Sequence, residues 1–94
     1  MYMRVTRTRT DPARVDEANP VVQETAAAIK QLPGFQSLGI GTDRATGEGI
    51  AVTTWDTEEH ARLSRDVLLG EFIPRLQALG VQLDPPQIFE VTAT

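Results

Sequence analysis

The chain has 94 residues, enough for one compact domain and too few for two, and carries a formal net charge of −4. Hydrophobic residues at 40% and charged residues at 23% are the proportions of a folded domain, not of a disordered chain. The acidic balance argues against a nucleic-acid binder, and the absence of cysteine excludes disulfides, thiol nucleophiles and thiolate metal sites.

The first ten residues, Met1 to Thr10, are rich in Val and Thr and read as a strand. They also hold a basic cluster, Arg4, Arg7 and Arg9, continued by Arg14, which reads as strand edges and a solvated end rather than a phosphate contact. The start Met1-Tyr2-Met3-Arg4-Val5 lacks the apolar run of a signal peptide, and no stretch has membrane-spanning length, so a cytoplasmic protein with no membrane partner is expected. Asp11-Pro12 is a helix start: Asp11 supplies a cap and Pro12 suits the first helical position. From there to Leu32, Val15, Ala18, Val22, Ala26 and Ile29 recur at helical spacing. Pro20 interrupts this run, which predicts either a kink or a short helix followed by a longer one.

Pro33-Gly34 ends the helix, and Phe35 to Thr42 reads as a second strand. Asp43 to Gly49 is a turn with two glycines, and Ile50 to Trp55 is a third strand, so these two strands form an antiparallel hairpin. Thr57 is a helix cap followed by Glu58 and Glu59, which the positive end of the helix dipole favours. That helix continues through Ala61, Ser64, Arg65 and Leu68; Gly70 weakens it, Pro74 starts or kinks a further turn, and Gly80 closes the region. After Asp84-Pro85-Pro86, Gln87 to Thr92 reads as the last strand. The order β-α-β-β-α-β predicts a single α+β domain over residues 1–94, ferredoxin-like, with both helices on one face of an antiparallel sheet.

Strand alternation sorts the sheet into two faces. One set, Met3, Val5, Leu38, Ile40, Ile50, Val52, Phe89 and Val91, is apolar and is expected under the helices. The other contains Tyr2, Arg4, Thr6, Ser37, Gly39, Gly41, Ala51, Thr53, Trp55, Ile88, Glu90 and Thr92. Its small, polar and aromatic side chains suit neither open solvent nor a dry interior. The expectation is that it lines a partly hollow space closed by a second copy of the chain.

The stretch Leu32-Pro33-Gly34-Phe35, then Asp43 to Gly49, then the strand ending in Trp55 and followed by Asp56-Thr57-Glu58-Glu59, resembles the antibiotic-biosynthesis monooxygenase (ABM) superfamily over nearly the whole chain. The resemblance implies a homodimeric α/β barrel in which two ferredoxin-like sheets face each other. The activities it implies vary: some members oxygenate aromatic, polyketide-like molecules with O2 and no metal or organic cofactor, others bind and degrade heme, and many similar small proteins have no assigned activity. The heme-degrading pattern needs an Asn on the first strand, a Trp ending the third and a His in the helix that follows. Trp55 matches, but the first strand offers Thr6 and Thr8 and no Asn, and His60 follows Trp55 too closely, so heme degradation is set aside.

The candidate cavity-lining residues are therefore Tyr2, Arg4, Thr6, Thr53, Trp55 and Glu90, with His60 a secondary candidate. Trp55 either stacks on a planar substrate or seals the barrel end. His60 is either a general base or an exposed first-turn histidine. Arg4 and Glu90 either pair as two buried charges or orient an anionic substrate, with Tyr2 in hydrogen-bonding reach. One histidine and no cysteine make a transition-metal site unfavourable, and no cofactor is expected. Three functions follow: a cofactor-independent monooxygenase or related isomerase acting on a small aromatic or polyketide-like molecule, a non-catalytic dimer that binds a small hydrophobic or aromatic ligand, and an interaction or structural module with no ligand.

Overall fold

A computed structural model describes residues 1–94, apart from the side chains of Val67 and Leu69. Strand β1 (Tyr2–Arg9) leads through a 3-10 turn (Pro12–Arg14) into helix α1 (Val15–Ile29). The hairpin β2 (Phe35–Thr42) and β3 (Glu48–Trp55) precedes helices α2 (Glu58–Glu71) and α3 (Ile73–Ala78), and the short strands β4 (Gln82–Leu83) and β5 (Gln87–Glu90) close the chain. This is the α+β, ferredoxin-like arrangement. The sheet runs β2-β3-β1-β4, with β5 also paired to β1, and every pairing is antiparallel. The sheet is open, not a closed barrel, within the single chain.

The local chemistry explains the boundaries. The Asp11 carboxylate accepts from the Ala13 N–H at 2.9 Å, so the chain enters its first turn capped. Helix α1 runs through Pro20 as one continuous element instead of dividing there. The Thr57 hydroxyl accepts from the His60 N–H at 3.1 Å, and Glu58 and Glu59 occupy the first turn of α2. Phe72 separates α2 from α3, with Pro74 in the first turn of α3, where a missing N–H costs nothing. The pair β4, inserted before Asp84-Pro85-Pro86, is a sheet element that the sequence reading does not contain. No helix among the described residues is long and apolar enough to cross a membrane.

Helix α2 rests on β1, β3 and β5, whereas α1 makes its main approach to α3. The buried apolar residues fall into two groups as a result. One gathers Ile29, Trp55, Ala61, Leu68 and Phe72; the other gathers Ala18, Leu76 and Val81. Trp55 is fully buried, and Phe35 meets its ring edge-on at 5.8 Å between centroids and 81° between planes. Such a contact adds about 1 kcal/mol beyond the area it buries.

The β2–β3 turn is tied to the end of β1. Gly47 has φ +80°, its carbonyl accepts from the Thr10 N–H at 2.9 Å, and a Cβ on it would lie 1.7 Å from the Thr10 carbonyl oxygen. Both the backbone conformation and the space demand glycine. Gly47→Ala is expected to destabilise the protein by about 2 kcal/mol or more, a loss read by urea unfolding.

Candidate functional site

The β1–β3 register sets Tyr2 opposite Trp55, Arg4 opposite Thr53 and Thr6 opposite Ala51; β2 adds Leu38 opposite Thr53 and Ile40 opposite Ala51; β5 adds Ile88 opposite Arg4. These residues share one face of the sheet. That face lies under the helices, because Arg4 reaches Ser64 of α2 and Trp55 packs with Ile29, Ala61 and Leu68. The two-face sorting from sequence is therefore reversed for most of its members. Met3, Val5, Ile50, Val52 and Phe89, with Val91 beyond the strand end, belong to the face turned away from the helices, and only Leu38 and Ile40 keep the expected side. A bulge between Phe35 and Ser37 sets the parity of β2.

The physical reason is a cavity of about 550 Å³ between the sheet and α1, where a solid core would otherwise lie. Both apolar groups contribute walls to it, through Ile29 and Leu68 on one side and Ala18, Leu76 and Val81 on the other. A hollow tolerates Thr and Arg on the strands beneath it, so polarity marks the inner face here and apolarity the outer one. The polar face expected to meet a second copy instead lines a half-open hollow within one chain.

Of the candidate residues, Arg4, Thr6 and Thr53 line this cavity. Tyr2, Trp55, Glu90 and His60 lie outside its lining. Tyr2 packs against the Trp55 group. Trp55 is spent on structure, and its indole Nε1–H donates to Thr53 Oγ1 at 2.8 Å, which fixes the rotamer of a cavity residue. Glu90 is exposed and sits opposite Tyr2, and Arg4 forms no ion pair among the described residues, so the expected Arg4–Glu90 pair is absent. His60 faces the Pro33–Gly34 turn. Its ring meets the Asp56 carboxylate, Nδ1 to Oδ1 2.6 Å, and this contact holds the Asp56 carboxyl below the usual carboxylate range. A Cβ on Gly34 (φ +77°) would collide with both side chains, so this pair packs the turn that leads into β2.

Arg4 is the unusual group. It is only 6% exposed, Nη1 donates to Ser64 Oγ at 2.6 Å, and Nε has no acceptor. The Ser64 hydroxyl donates onward to the Ala61 carbonyl at 2.8 Å, so the serine orients the guanidinium without neutralising it. Burial, and then repulsion from Arg65, pull the Arg4 pKa down to about 10, which still leaves a full cation at neutral pH. The sequence reading passed over Arg65, a second cavity residue, and the role of Ser64. The signal was present: Ser64 is a polar side chain in the stripe Ala61, Ser64, Leu68, where a helix packed on a sheet calls for an apolar one.

No family profile and no curated protein matches the chain. Solved structures do. A protein provisionally described as an antibiotic biosynthesis monooxygenase, from Deinococcus radiodurans, superposes with a TM-score of 0.80 at 16% identity, over 100% of this chain and 95% of the other. SnoaB, a cofactor-independent oxygenase from Streptomyces nogalater, gives 0.72 at 20% identity over 99% and 94%. A further protein provisionally described as an antibiotic biosynthesis monooxygenase, from Nitrosomonas europaea, gives 0.78 at 11% identity over 99% and 100%. The chain thus has the fold of the ABM proteins along its whole length.

Burying an unpaired charge costs free energy that an apolar side chain of similar volume does not incur. Arg4→Met is accordingly expected to hold or raise the melting temperature of the ligand-free protein. A marked fall would show that Arg4 is needed for folding and is not a cost carried for the cavity.

Proposed function

We propose that the protein is a cofactor-independent monooxygenase that takes a small aromatic or polyketide-like molecule into the cavity between its sheet and α1. The observation that carries this reading is a 550 Å³ hollow with apolar walls and one buried, unneutralised cation, Arg4. The cavity is large enough for a polycyclic ring system. The likeness in fold to SnoaB, itself described as a cofactor-independent oxygenase, adds an analogy.

The chemistry asks little of the protein. A phenol conjugated to a ring CH2 loses a proton to solvent, regained when water is later lost, to give a delocalised carbanion, and a fixed cation at the oxygen favours that form. The carbanion supplies the electrons that reduce O2. Addition gives a peroxide at the former CH2, and loss of water leaves a carbonyl, so that one oxygen atom enters the product and the other leaves as water. Arg4 would stabilise the anion, while the apolar walls keep bulk water from the carbanion. No nucleophile is required. The alternative of a non-catalytic binding protein draws support from the lining, where the one carboxylate, Asp84, is exposed and no buried base accompanies it.

Anthrone-type phenols test the reading. Oxygen uptake matching substrate consumed, in the presence of EDTA and with no added cofactor, is expected. Saturable binding without uptake above the uncatalysed rate would instead favour the binding protein.

The assembly we propose is a cytoplasmic homodimer built through the outer face of the sheet. Met1, Ile50 and Phe89 are exposed by 49%, 37% and 46%, and Met3, Val5 and Val52 lie on the same face. An uncovered apolar sheet face of this kind favours association, and a second copy offers a self-complementary surface. Phe89→Glu is expected to yield monomers by sedimentation velocity, with wild type sedimenting as a dimer. A monomeric wild type would overturn this assembly.

A further inference from the structure

Arg4 and Thr53 face each other across the β1–β3 ladder, and both are almost inaccessible, at 6% and 5% exposure. Each has hydrogen-bonding capacity left unused. Nη1 is the one guanidinium nitrogen of Arg4 with an acceptor among the described residues, and Nε has none. Thr53 Oγ1 already accepts from the Trp55 indole, which leaves its hydroxyl hydrogen to be donated. Both side chains line the 550 Å³ cavity.

The surrounding charge is mostly positive: Lys30 and Arg65 line the cavity with Arg4, against the one exposed carboxylate Asp84. Arg4, Arg65 and Pro86 also border an adjoining hollow of about 280 Å³ that Arg62 helps to line. Asp66 is the one carboxylate of that second lining, and no ion pair among the described residues includes Arg4 or Arg65. Buried cations are ordinarily paired, because removing a charge from water is costly. A buried cation with a second cation beside it and a spare hydroxyl donor opposite lacks a negative partner.

We propose that the cavity recognises an organic oxyanion, a carboxylate or phenolate on an apolar body, with its charged oxygen on Arg4 and Thr53 and its body against Ile29, Leu38, Leu68 and Leu76. This rests on the reading of the cavity as a ligand site and adds the charge of what enters it. Arg65 supplies long-range attraction, and Trp55 acts as a positioning residue, since its indole N–H holds the Thr53 hydroxyl oxygen in place and leaves the O–H free to donate.

The test uses the full chain at neutral pH with three probes that share one ring system: 2-naphthoate, 2-naphthol and the uncharged 2-naphthamide. Charge-assisted hydrogen bonding predicts that 2-naphthoate binds at least about tenfold more tightly than 2-naphthamide by titration calorimetry, or that bound 2-naphthol shows the red-shifted absorbance of its anion. The first result assigns carboxylates and the second phenolates. In Arg4→Met the preference and the shift should vanish while 2-naphthamide still binds, which also shows that the variant is folded. Equal binding of 2-naphthoate and 2-naphthamide with no naphtholate band overturns the anion site but leaves a cavity for neutral ligands. A preference that survives Arg4→Met also overturns it. Failure of all three probes to bind overturns the cavity reading itself.

Discussion

Strand β1 serves two surfaces at once, and the alternation of its side chains fixes what each can be. Tyr2, Arg4, Thr6 and Thr8 point toward the helices, and Met3, Val5, Arg7 and Arg9 point away. Since β1 pairs with β3, β4 and β5, its parity is passed to most of the sheet. A slip of one residue would bring Met3 and Val5 into the hollow and turn Arg4 outward, exchanging a polar cavity for a filled core. The cavity and the apolar outer face are therefore a single consequence of one register.

Within that register, a short relay of contacts sets the chemistry of the cavity. The Trp55 indole donates to Thr53, Thr53 stands opposite Arg4, and Arg4 donates to Ser64, which donates to the Ala61 carbonyl in α2. Two ends of this relay are fully buried, Trp55 at 0% and Ser64 at 1% exposure. The rigid parts are thus the anchors, and the groups between them are held with donors still free. Such an arrangement stores a preference for a ligand in the fold, at a cost in the stability of the empty protein.

Much of the fold was legible in the sequence because its punctuation is chemical. Asp11-Pro12, Pro33-Gly34, the Asp43–Gly49 turn and Thr57-Glu58-Glu59 each mark a boundary by capping, ring geometry or positive φ, and these signals are local. Strand β4 was not legible, because two residues, Gln82 and Leu83, carry no period. The faces of the sheet were misassigned for a deeper reason. Sorting by polarity assumes that the helices cover the apolar side, which holds for a solid core. Here the helices cover a cavity, and the alternation alone could not say which side was hollow. Arg4, Thr6 and Thr53 were singled out for the polarity of their face, and that polarity does belong to a cavity, although one bounded by α1 and not by a second sheet. Trp55 and His60 drew attention by residue type, which records capacity for chemistry and nothing of placement: one is sealed against Phe35, the other is engaged with Asp56 over a turn.

A small domain that keeps a hollow gives up apolar contacts it can hardly spare, since a short chain buries a modest share of its surface. The apolar side chains that would have filled the space are not missing from this sequence. Met3, Val5, Ile50, Val52 and Phe89 stand on the far side of the same strands, where Met3, Val5 and Val52 are half-buried and Ile50 and Phe89 exposed within one chain. Association through that face would recover the burial forgone inside, without placing a methyl group in the cavity. The proposed dimer and the proposed ligand site are in this sense complementary. An intermolecular core on one face of the sheet permits an unfilled, charged interior on the other, and a substitution that filled the cavity would weaken the physical need for a partner.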